Sequence, residues 1–80
     1  MSLVISRQLK AARALLNWNQ QALADASDTN VQTVKRIEGA DGPIRGQHGT
    51  IMRIQAAMEA AGVEFLGEGA PGVRLKKMPE

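Results

Sequence analysis

The stretch QQALADASDTNVQTVKRIE, residues 20–38, decides how this chain is read. Apolar residues recur at helical spacing on both sides of SDTN, whose four side chains compete for backbone hydrogen bonds and so favour turns and caps over helix interiors. Asn19 suits the N-cap of a short helix that turns Leu23 and Ala26 inward and ends near Ser27. A further helix then runs from Val31 to about Gly39, with Val34 and Ile37 one turn apart on its buried side and Gly39 plus ADGP as its stop. Advancing about 100° per residue from Val34 sets Gln32 and Arg36 nearly opposite the core and Thr33 and Lys35 on the flanks. The exposed ridge of that helix is therefore polar and cationic.

Upstream, Ile5, Leu9, Ala12, Leu15 and Leu16 share a helical period, which predicts a first helix from about Val4 to Leu16, capped by Ser2 or Ser6 and broken by NWN. Downstream of the loop ADGPIRGQHG, Thr50 is the expected cap of a fourth helix through Ala61, with Ile51, Ile54, Met58 and Ala61 inward and Gly62 as the stop. VEFL and GVRLK alternate in the manner of strands around GEGAPG, so a hairpin follows. A lone two-stranded ribbon is barely stable in water, and Val63, Phe65, Val73 and Leu75 must therefore pack on the helices or on another subunit. The organisation is one helical module over residues 1–62 and a hairpin extension over residues 63–77, a possible dimerisation element, with KKMPE as a frayed end.

Eighty residues fit one domain, and a chain of this size buries only ~60% of its unfolded surface, which leaves little room for an enzyme pocket. No cysteine is available for a disulfide or a thiolate zinc site, and the single histidine, His48, cannot hold a metal unaided; it reads as a loop residue. Neither catalysis nor a cofactor is expected. No apolar run is long enough to cross a bilayer, and Arg7, Lys10 and Arg13 interrupt any signal-peptide core, so the expected compartment is the cytoplasm.

Ten Lys and Arg against eight Asp and Glu give a formal charge of +2, too mild to imply a polyanionic partner. Placement says more. Met1 to Leu16 carries three cations and no acid, and Lys35, Arg36, Arg45 and Arg53 follow with Glu38 and Asp41 the only acids between Asp28 and Glu59. Folding either gathers these cations into a basic face or leaves them as ordinary solvated helix surface.

Two helices joined by a tight turn, the second with a polar, cationic face, are the sequence image of a helix-turn-helix. An α-helix is ~10–12 Å across and the major groove of B-DNA ~12 Å wide, so one such helix fits the groove. Gln pairs bidentately with adenine and Arg with guanine, while the positive end of the preceding helix, at Asn19 and Gln20, suits a phosphate.

The segment LNWNQQALADASDTNVQTVKRIEG resembles the helix-turn-helix of the Xre family, the lambda-repressor-like group of bacterial and phage regulators. That family's pattern is Leu-x-x-x-Gln-x-x-Leu-Ala, a turn, then Ser-x-x-Thr-Ile-x-x-Ile-Glu. Leu16, Gln20, Leu23 and Ala24 fit its first half; Asn30, Thr33, Val34, Ile37 and Glu38 fit its second. The likeness spans about Leu3 to Ala61 and implies a mainly α fold, a four- to five-helix lambda-repressor-like bundle, with the C-terminal β-hairpin outside the defining part. By the same likeness Gln20 holds a backbone phosphate, and Asn30, Val31, Gln32, Thr33 and Arg36 face bases or nearby phosphates, with Lys35 beside them. Arg45 touches backbone or minor groove, and Arg13 and Glu38 form a structural ion pair. The turn departs from the pattern: Asp28 and Thr29 stand where Gly and an aliphatic residue are usual, and Asp accepts the left-handed conformation less readily than Gly.

The resemblance implies sequence-specific binding of double-stranded DNA by a small transcriptional regulator, most simply a repressor, without a small-molecule effector. A module reading about four base pairs cannot select one genomic site, so a homodimer on a palindromic operator is expected, its half-sites ~34–36 Å apart. The hairpin edge and the outer face of the fourth helix are both candidate joints. Val31 is open to two readings, packing or contact with a thymine methyl group. Trp18 reads as a plug between the first two helices, the methionines as filler, and Lys76 and Lys77 as a solvated end. Two other functional classes stay open: an antitoxin whose tail or another face binds a toxin partner, and a protein-interaction module that lost DNA binding.

Overall fold

The computed structural model describes residues 3, 5–67 and 69–76. Four helices, α1 (Ser6–Leu16), α2 (Gln20–Ser27), α3 (Val31–Gly39) and α4 (His48–Ala60), precede an antiparallel hairpin of β1 (Val63–Leu66) and β2 (Gly72–Leu75). The chain is thus mainly helical with a two-stranded C-terminal ribbon. Its register sets Val63 against Leu75 and Phe65 against Val73, so these four side chains share one face of the ribbon.

That face closes the core. Leu9, Ala12, Leu16, Leu23, Ala24, Val34, Ile37, Ile54 and Met58 from the helices form one buried cluster with Val63 and Phe65. Phe65 is 0% exposed, and removing a side chain of that size from water stabilises by about 1.5–3 kcal/mol. The ribbon packs on α1 and α4. The helices and the hairpin therefore share a single apolar interior, although the boundary read at residue 62 falls between them.

Helices α1 and α2 end alike. Asn17 (φ 57°) and Asp28 (φ 55°) both adopt the left-handed conformation. Just beyond each, the Trp18 and Thr29 amides donate back to the Arg13 and Ala24 carbonyls at 2.9 Å. This closure satisfies carbonyls left without partners at a helix end and usually employs glycine. Asn and Asp are the side chains that tolerate the conformation best after glycine, so the atypical turn keeps the geometry at some cost in strain. Behind Asp28, the Ser27 hydroxyl donates to the Leu23 carbonyl at 2.7 Å and lies 2.8 Å from the Thr29 hydroxyl, a polar pairing inside the turn.

Several expectations need correction. Ala26 is exposed, and Ala24 and Ser27 are buried with Leu23 instead. Taken around the helix, Leu23, Ala24 and Ser27 span one face, and Ala26 falls outside it. Leu15 is 39% exposed and leaves the inward stripe of α1 to Leu9, Ala12 and Leu16. α1 starts at Ser6, with extended Ile5 as its cap residue; the Ile5 amide donates to Gln8 Oε1 at 3.0 Å, and Ser6 is buried within the first turn. Ile5 also bridges Pro43 across the loop that precedes α4, which holds it out of the helix. Ser2, Val4 and residues 77–80 lie outside the described residues, and Lys76 is exposed. α4 begins at His48 behind Gln47, so Thr50 sits in the first turn and His48 is helical, an exposed first residue.

Candidate nucleic-acid interface

Helices α1, α2 and α3 are joined around one carboxylate. Glu38, its side chain 3% exposed, receives Arg13 Nε at 2.6 Å and Arg13 Nη2 at 2.7 Å, while Gln20 Nε2 donates to the same group at 3.0 Å. Arg13 Nη1 additionally donates to the Trp18 carbonyl at 3.1 Å. These bonds tie α1, the turn after it, the first residue of α2 and the last turn of α3 together. The bidentate bonds to Glu38 hold the Arg13 guanidinium above its ordinary value, against a smaller opposing effect of burial. Arg13 is consequently a framework cation, and its charge is spent inside the molecule.

Two further expected site residues serve as caps. Asn19 Oδ1 accepts from the Ala22 amide at 2.7 Å, and Asn30 Oδ1 accepts from the Gln32 amide at 2.7 Å, which starts α2 and α3 at fixed points. Gln20 is half-buried, and its bond to Glu38 uses one of its two amide hydrogens.

On α3, Gln32, Lys35 and Arg36 are exposed, and Thr33 is half-buried between them. Val31 is half-buried and packs against the core, so its side chain divides between packing and surface. The ribbon lies on α1 and α4, which leaves the outer ridge of α3 open. Beside that ridge, Thr33, Arg36, Ile37, Gly46, Gln47 and Thr50 line a hollow of about 190 Å³ at the start of α4. Arg45, exposed, precedes Gly46 in the loop. Gly46 has φ +153°, and a Cβ there would come within 3.3 Å of Ile51 Cδ1, so this approach of loop to helix requires glycine.

The hollow adds Gln47 and Thr50 to the residues that sequence reading singled out. Thr50 is legible in the sequence only as a helix cap and Gln47 only by its nearness to Arg45, because the cap of α4 lies at Gln47, three residues before Thr50. Lys35, Arg36, Arg45 and Arg53 are all exposed and form no ion pair among the described residues, whereas Arg7 is bound by Asp41 at 3.2 Å and Arg74 by Glu64 at 2.5 Å. Four of the unpaired cations thus lie on α3, its following loop and α4, while Lys10 on α1 and Lys76 after β2 are exposed elsewhere. Trp18, half-buried against the core, packs and does not join this surface. Among the described residues no group of acids and histidine is arranged to hold a metal ion, and no helix is long and apolar enough to cross a membrane.

No protein-family model matches the chain, and no curated protein matches it.

Proposed function

We propose that the chain is a lambda-repressor-like helix-turn-helix module of Xre type that binds double-stranded DNA in a sequence-specific manner and represses transcription by occupying its site. The observation that carries this reading is the open ridge of α3, where Gln32 and Arg36 are exposed beside Lys35 and next to Arg45 in the following loop. Gln32 and Arg36 read base edges, and Lys35 and Arg45 meet phosphates. Gln20, oriented by Glu38, offers its remaining amide hydrogen to a phosphate at the positive end of α2. Two copies on a palindromic site supply the specificity that one copy lacks. The activity is binding in the cytoplasm, without catalysis, cofactor or effector.

The reading is tested by selecting bound fragments from random duplex DNA and footprinting the winner with the native chain and with the Gln32→Ala, Arg36→Ala double variant. A defined palindromic footprint that the double variant loses supports it. Equal, sequence-independent retention of DNA by both proteins rejects base reading and leaves the face to a protein partner.

A further inference from the structure

We infer that two copies of this chain join through the outer edge of β2, in one antiparallel register centred on Val73. Within the ribbon the Lys76 amide donates to the Gly62 carbonyl at 2.7 Å, and the Val63–Leu75 and Phe65–Val73 pairs alternate with that bonded pair. Backbone groups of Val73 and Leu75 consequently point away from β1, and among the described residues β2 has no other neighbouring strand. The same two residues are only half-buried, although they lie on the ribbon's core-facing side. An open strand edge bearing half-covered apolar side chains is the feature that a further strand covers.

Charge and shape both select a second copy in one register. On the outer face, pairing Arg74 with Arg74 of the partner sets like charges opposite each other, and centring on Leu75 sets Arg74 opposite Lys76. Centring on Val73 places Arg74 opposite Gly72, which has no side chain, so each Arg74 keeps its bond to Glu64. In that register Leu75 lies opposite Pro71 on the core-facing side. There Ile5, Ala11, Pro71 and Val73, with Gln8 and the Arg7 that Asp41 binds, line a groove of about 320 Å³ between α1 and β2. Leu75 of each copy enters the groove of the other, and the Leu75 amide donates to the Pro71 carbonyl. Proline then ends the ladder, since it has no amide hydrogen to offer. The product is a four-stranded sheet with a two-fold axis at Val73.

This joint deepens the two-copy reading above and is tested without DNA. The chain has no cysteine, so single replacements report distance. Val73→Cys should oxidise rapidly to a covalent dimer, because paired residues have Cα atoms about 5.5 Å apart. Leu75→Cys should stay monomeric, its partner being about 13 Å away along the strands. Leu75→Lys, with its helical circular dichroism unchanged, should weaken self-association in sedimentation by about tenfold or more, the scale of one apolar side chain withdrawn from a contact. A native chain that sediments as a monomer into the millimolar range, or cross-linking at least as fast at Leu75→Cys or Arg74→Cys, overturns the joint. A monomer that still footprints DNA removes this joint alone, and a dimer of the stated register that ignores DNA removes the DNA reading alone.

Discussion

Gln20 and Glu38 are joined by a 3.0 Å hydrogen bond that ties the first residue of α2 to the last turn of α3, on a carboxylate already held twice by Arg13. Helices α2 and α3 are thereby fixed by a polar clamp as well as by apolar packing. A buried carboxylate is tolerated only with its partners, and removing one leaves the desolvated charge uncompensated.

Arg13→Ala should accordingly cost about 3 kcal/mol or more in urea unfolding, while an Arg13→Met, Glu38→Leu double replacement should cost less than the single change. Because Glu38 raises the Arg13 value in the folded state, the guanidinium's contribution is complete below its ordinary value and fades only in stronger alkali. The stability gap between native chain and Arg13→Ala should thus stay flat from neutral pH to mildly alkaline pH. A gap that shrinks over that range would show that the pair does not supply it.

Gln8 is a second polar clamp. Its side chain, 2% exposed, accepts from the Ile5 amide at 3.0 Å and donates to the Leu66 and Gly72 carbonyls at 2.9 and 3.0 Å. Gln8→Leu should strand these buried groups and cost roughly 2–3 kcal/mol. Amide exchange should report it locally, with protection falling in β1 and β2 before it falls in α2 and α3. Uniform loss across the chain would contradict a local clamp.

Asp28 sits at φ 55° in the turn. Asp28→Gly should relieve the strain and lose part of the gain to unfolded-chain entropy, for a net rise in Tm of about 2–4 °C. Asp28→Val should lower Tm instead, because a β-branched residue is held poorly in that conformation. A lower Tm for the glycine variant would mean that Asp28 has a stabilising contact that outweighs its strain.

If the α3 ridge enters a groove, its residues should separate by kind. Gln32→Ala or Arg36→Ala should lose about 1–3 kcal/mol on the selected site with little change on random duplex, and Lys35→Ala should weaken both alike and reduce the salt slope by about 1. Binding isotherms at several salt concentrations distinguish these effects. Equal losses on both duplexes for all three variants would assign the whole ridge to phosphate contact.

Much of the local structure was legible in the sequence because it is governed by neighbours in the chain. Asn19 and Asn30 announce two helix starts, Gly62 a stop, and the spacing of Val34 and Ile37 the buried side of α3, all through interactions within one turn. The alternation in VEFL and GVRLK likewise fixed the ribbon, since side chains in a strand change face at every step. The exposed positions of Gln32 and Arg36 follow from the same periodicity.

Tertiary structure decided what depends on residues distant in sequence. Ile5 leaves the first helix because it pairs with Pro43, Leu15 is exposed because no described element covers that side of α1, and Gln8 is buried because a ribbon some sixty positions later lies over it. The hollow joining Arg36 to Gln47 and Thr50 exists only where the loop after α3 and the first turn of α4 meet α3. Periodicity and capping are properties of a few consecutive residues; the partner of a buried polar group is chosen by packing, and packing is set by the whole chain.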